Sequence, residues 1–276
     1  MFQSLSRFLT SQLGRGIVYT LLCISTLSAV SQAPAAPHSN GSDAALPDAP
    51  QPQTVQDPVR PGNTPIHILK DQGAIWTSPL RIRTSDLKWL VPLAAATGVS
   101  LGTDSYTMRS VVTQNASFNQ ANVNVSNVLL GGILAAPVGF YGVGYFKQDE
   151  HARETGILGA EAIVDGLVVS EGLKLMTWRE RPAMNNARGW FFQGNAGADS
   201  SFPSTHSVLA WSSAAVIASV YPSHWTQLGV YTVATGVSLT RVLGQQHFPT
   251  DVLIGGATGW LIGRYVYRTH HRFGSH

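Results

Sequence analysis

Residues 202–220 read FPSTHSVLAWSSAAVIASV. Ser204 stands where a helix N-cap belongs, and the apolar run from His206 to Val220 is too long for an ordinary strand. It predicts a helix with an open N-terminus. Working outward, runs of the same kind cover Leu87–Leu101, Val125–Phe146, Thr155–Thr177, Thr226–Thr240 and Thr250–Tyr267. Short alternating segments bounded by turns are scarce, so the expected fold class is all-α, a helical bundle. Between these runs, residues 114–127 are rich in Asn and Gln and read as a loop with a short helical piece. Residues 147–154 read as a charged turn and residues 188–201 as a loop. No internal repeat is present.

The ends have a different character. Arg7 and Arg15 precede an apolar run from Ile17 to Val30, with small residues after it at Ser31 and Ala33. Residues 1–33 are therefore expected to act as a secretory signal, placing the protein in the periplasm or on the outer face of the inner membrane. Residues 34–65 are dense in Pro, Ala, Gln, Asp and Ser. With so little to bury they are expected to form a disordered linker, followed by a helical domain over residues 66–276. Cys23 is the single cysteine, which excludes an intramolecular disulfide framework and a Cys-based zinc site. The net charge of +3 is scattered, and no basic stripe interleaved with aromatics marks a nucleic-acid partner.

Membrane contact is left open by the sequence. A spanning helix needs about 20 apolar residues, and several runs fall short, while Glu161, Asp165 and Glu171 would be expensive in lipid. After an exported start, three spans would also return the region 174–206 to the cytoplasm; a wholly exported globule avoids that, and so does a protein with only the first two runs in the bilayer. Against that, Val125–Phe146 is long enough to cross, and Arg264, Arg268 and Arg272 follow the last run as at an inside-facing end.

Four groups of residues carry chemistry. Between Asp199 and Asp251, Arg241 is the only Asp, Glu, Lys or Arg. It ends an apolar run and so needs an anion, supplied by Asp251 or by a bound oxyanion. Lys174 and Arg181 are two helical turns apart, which would put them on one face about 10 Å from each other, and Pro182 disfavours helix at Arg181. Ser204 and Thr205 open a helix whose free N–H groups suit an anion, with His206 in its first turn as a proton donor. His247 lies just ahead of a helix started by Pro249, with Asp251 placed to orient it. Each group alone has an ordinary structural reading: an ion pair, a basic helix end, a cap, a chance His–Asp spacing. Together they supply three cations, a hydroxyl, amides and two histidines around one anion. That set needs no metal or other cofactor, since the cations stabilise the charge. His-rich metal spacings are absent, and His270, His271 and His276 read as a polar tail.

Lys174-x6-Arg181-Pro182, then Pro203-Ser204-Thr205-His206, then Thr240-Arg241-x5-His247-x3-Asp251, resembles the three-part signature of the type 2 phosphatidic acid phosphatase family. Its superfamily also holds bacterial non-specific acid phosphatases and vanadium haloperoxidases. The resemblance covers residues 150–267. Thr205 departs from the usual Gly and Thr240 from the usual Ser. It implies an all-α bundle and a metal-independent phosphatase in which His247 attacks phosphorus, Asp251 orients it, and His206 protonates the leaving alcohol. Lys174, Arg181, Arg241, Ser204 and Thr205 would hold the phosphoryl oxygens. Gly255, Gly259 and Gly263 would form a face for close helix contact. The implied substrate is a phosphate ester: a lipid phosphate, an isoprenoid pyrophosphate or a small soluble ester. A vanadium haloperoxidase and a non-catalytic envelope protein are the alternatives, separable by bromide oxidation and by an aryl phosphate assay.

Overall fold

The computed structural model describes residues 61–193 and 199–272. The expected signal (1–33) lies outside the described residues, as do positions 34–60 of the expected linker. Seven α-helices and no strand occur among the described residues: α1 (Thr64–Thr77), α2 (Leu87–Tyr106), α3 (Ala116–Lys147), α4 (Glu150–Thr177), α5 (Thr205–Val220), α6 (His224–Leu243) and α7 (Pro249–His270). The fold is all-α, as the apolar runs predict.

Local chemistry sets the helix ends. Asp149 accepts hydrogen bonds from His151 N and Ala152 N to open α4, so most of the expected charged turn at 147–154 is helix. Gln148 and Trp178 adopt left-handed backbone to end α3 and α4. The expected loop at 114–127 is also corrected. Asn115 caps Phe118 N, Asn122 donates to Phe118 O and Gln120 donates to Asn124. Side chains that favour turns in isolation here bond the helix backbone or one another at helical spacing, and α3 starts at Ala116.

α5 is the central helix, buried along nearly its whole length. On one side Val216 and Val220 pack with Leu158, Ala162 and Val169 of α4 and Ile262 and Val266 of α7. On another side Ala210 and Ala214 meet Ala234 and Val237 of α6. Small residues let α5 and α7 approach closely. A methyl group on Gly255 would lie 2.8 Å from Ser204 O, and one on Gly259 would strike the Val208 carbonyl. The expected glycine face exists, and it fixes the two helices whose N-termini carry the site. The outer helices differ. Asp104 is the only fully buried residue of α2, while Val91, Val99, Val128, Val138 and Phe146 on α2 and α3 are exposed. Among the described residues, α3 alone is long and apolar enough to cross a membrane, and little of it is buried.

Candidate active site

The N-termini of α5 and α7 are joined by backbone. Ser204 N donates to Asp251 O at 3.0 Å, and Phe248 N donates to the Asp251 carboxylate at 2.8 Å. This brings Ser204, Thr205 and His206 beside His247, while the C-terminal turn of α4 delivers Lys174. Ser204 does occupy the N-cap, but its side chain makes no capping bond. Its hydroxyl is buried without a partner. Thr205 Oγ1 donates to Glu171 Oε1 at 3.0 Å, and Lys174 Nζ donates to the same oxygen at 2.9 Å.

Lys174 and Arg181 do not share a helix face. α4 stops at Thr177, because Trp178 turns left-handed at φ 45°. The chain then folds back, and Arg181 is held from outside the helix. Its Nη2 pairs with Asp199 at 2.8 Å and its Nη1 donates to Gln246 O at 3.1 Å. Tertiary contacts, not helical spacing, place this guanidinium.

Arg241 is buried at the end of α6. It donates to Ser126 Oγ at 3.3 Å and approaches Gln246 Oε1 at 3.5 Å, while its Nε has no partner. It pairs with no carboxylate among the described residues. Of the two anions the sequence offers it, Asp251 is taken by another cation. Burial first, then Arg181, lowers the Arg241 pKa to about 10, so it remains cationic at neutral pH.

That other cation is Arg179, which sequence reasoning missed. Its Nη1 pairs with Asp251 Oδ1 at 2.5 Å and its Nη2 with Asp104 Oδ2 at 2.6 Å. Its guanidinium also lies 4.3 Å from the Phe248 ring centroid and 4.7 Å from that of Phe191. The available signal was a second arginine in Trp178-Arg-Glu-Arg181. Its partner Asp104 lies far off in sequence, on a helix with no motif. Also missed were Ser201, Glu171 and Asn127, the last inside the segment read as a loop.

The two histidines sit differently. His247 is buried, with Nδ1 at 2.7 Å from Ser201 O and 3.7 Å from Asp251 Oδ2. A carbonyl only accepts, so Nδ1 carries the proton and Nε2 keeps its lone pair. Asp251 acts at one remove, accepting from the Ser201 hydroxyl. Burial pushes His247 down to about 4, with Asp251 opposing and Arg181 and Arg241 adding to the shift. His206 is half-buried, and its Nε2 lies 3.1 Å from Asn127 Oδ1. Burial, then Arg241, His247, Lys174 and Arg181, push it down to about 3. The neighbours acting on His206 are the predicted site residues, so these groups share one locale. With both imidazoles neutral, the cations acting on this locale are Arg241, Lys174 and Arg181.

The sequence model of the PAP2 superfamily matches residues 155–275. Lipid A 1-phosphatase of Porphyromonas gingivalis is 28% identical over 200 residues, covering 71% of this chain and 40% of that protein. The chain thus spans about two fifths of the length of this curated relative. The crystal structure of a transmembrane PAP2 type phosphatidylglycerolphosphate phosphatase from Bacillus subtilis aligns with a TM-score of 0.42 and 18% identity, over 75% of this chain and 94% of that chain.

Proposed function

We propose that the chain is a member of the PAP2 superfamily, whose sequence model matches residues 155–275, and that it is a phosphatase that removes phosphate from a lipid phosphomonoester at a membrane. The observation that carries this reading is Arg241. A buried guanidinium that meets no carboxylate among the described residues, and a buried hydroxyl without a partner on Ser204, are costly unless an oxyanion joins them. Lys174, Arg181, the Thr205 amide and the open end of α5 complete the cradle.

In the proposed mechanism, His247 Nε2 attacks phosphorus in line with the ester oxygen. The N–P bond forms as the P–O bond breaks, and His206, protonated once the phosphate dianion is bound, gives its proton to the leaving oxygen. Water then attacks the phosphohistidine, with His206 as base, releasing inorganic phosphate and restoring His247. Asp251 keeps Ser201 and the His247 loop in register, and the three cations neutralise the equatorial oxygens without a metal. A lipid substrate is supported by the activity named for the P. gingivalis relative and by Trp178, Trp190 and Phe192, exposed near Arg181. The exposed apolar faces of α2 and α3 would lie against acyl chains, and the N-terminal signal would put the site on the outer side of the inner membrane.

The test is phosphate release by the detergent-purified full chain from dioleoyl phosphatidic acid and from glycerol phosphate, with and without EDTA. Turnover of the lipid that survives EDTA, falls with vanadate and disappears in His247→Ala is expected. Turnover equal in His247→Ala and wild type would overturn the assignment.

A further inference from the structure

About 20 Å along α4 from Lys174, three helices bring together residues that the phosphate site does not use. His67 and Asp71 come from one face of α1, Glu161 and Asp165 from one face of α4, and His270 from the last turn of α7. His270 is no polar tail: its side chain is 12% exposed, that of Asp71 2% and that of Glu161 0%. The rings of His67 and His270 are stacked at 4.4 Å. A nitrogen of each faces the same carboxylate oxygen, His67 Nδ1 at 3.4 Å and His270 Nε2 at 4.0 Å from Glu161 Oε1. His270 Nε2 is also 2.9 Å from Asp71 Oδ2.

Two observations ask for a further ligand. Neither oxygen of the wholly buried Glu161 carboxylate has a hydrogen bond, and Asp165 Oδ2 also lacks one. Three carboxylates face two imidazoles in a space where unbalanced charge is expensive. We propose that His67, Glu161 and His270, whose ligand atoms all lie within 4.8 Å of one another, bind a divalent transition-metal ion of the zinc class. Two imidazoles and carboxylate oxygens are a suitable donor set. Around a tetrahedral ion with bonds of about 2.1 Å, neighbouring ligand atoms lie about 3.4 Å apart; the two separations from Glu161 Oε1, 3.4 Å to His67 Nδ1 and 4.0 Å to His270 Nε2, lie at or near that value. Outer contacts that would orient the ligands are present as well. The Tyr265 hydroxyl donates to Asp71 Oδ1 at 3.1 Å, which holds that carboxylate beside His270.

The ion would act as a staple. Asp71 is the only fully buried residue of α1, so this helix is docked by polar groups more than by an apolar face. A cation shared with α4 and α7 would fix it to the core. The ion has no part in phosphoryl transfer.

The experiment uses the detergent-purified full chain, stripped with a chelator and titrated with Zn2+, or with Co2+ as a spectroscopic probe. Expected are one ion per chain by elemental analysis, visible Co2+ bands of nitrogen–oxygen coordination, and a rise of several degrees in Tm. Glu161→Gln and His67→Ala should each lose the bands and the Tm shift, while retaining phosphatase turnover below their melting temperature. The wild-type cobalt spectrum decides the matter even if a variant folds poorly. Absence of a stoichiometric ion in the wild type, or full retention of the ion in both variants, would overturn the proposal.

Discussion

His247 Nδ1 lies 2.7 Å from the carbonyl oxygen of Ser201. That contact, made to a residue 46 positions earlier in the chain, sets the tautomer that leaves the Nε2 lone pair unprotonated. Asp251 stands behind it, accepting from the Ser201 hydroxyl and from Phe248 N while pairing with Arg179. The carboxylate is therefore a keystone for the loop as well as an electrostatic partner for the imidazole.

Arg179 should matter more for stability than any other cation near the site. Arg179→Ala would leave Asp104 and Asp251 buried without their shared guanidinium, a loss of about 3–5 kcal/mol for a broken buried pair. Thermal and urea unfolding would measure it. An unchanged midpoint would show that the network does not hold α2, α4 and α7 together.

Arg241 should behave in the opposite way. With no carboxylate partner among the described residues, its charge destabilises the ligand-free protein. Arg241→Met is expected to abolish turnover while raising Tm in phosphate-free buffer. Phosphate or vanadate should stabilise the wild type and not the variant. Equal Tm gains in both proteins would place the anion elsewhere.

The two histidines should separate by leaving group. His247→Ala should form no phosphoenzyme on rapid acid quench. His206→Ala should lose about 10²–10⁴-fold on an alkyl phosphate and much less on a nitrophenyl ester, whose leaving group needs little protonation. Equal losses on both esters would remove His206 from the role of proton donor.

Burial of neutral His247 should also appear in the pH dependence of stability. Its folded pKa, about 4, lies below the unfolded value of about 6.5. The unfolded chain takes up the proton first as pH falls. Stability is thus full above about pH 6.5 and is lost as pH falls towards 4, by up to about 3 kcal/mol. His247→Gln should flatten that acid limb in a Tm-against-pH series; an unchanged slope would assign it to other groups.

Much of this protein is written locally. Long apolar runs, Ser204 ahead of one and Pro249 at the start of another, specify helices, because caps and i,i+4 packing operate within a turn or two of the chain. The order of the three motifs and the glycine face on α7 are local in the same sense. What the amino-acid order could not supply is partnership across the fold. The Asn and Gln residues of 114–127 look like a loop until they bond the backbone and one another along α3. Lys174 and Arg181 look like neighbours on a helix until Trp178 ends it and Asp199 and Gln246 take over. Asp251 looks like the natural partner of Arg241, yet Arg179 claims it together with Asp104, 75 residues from Arg179 in sequence. His67, Glu161 and His270 carry no shared spacing at all. Which buried charge meets which depends on how the seven described helices pack, since a charge out of water is held by whatever opposite group the packing brings within a few ångströms.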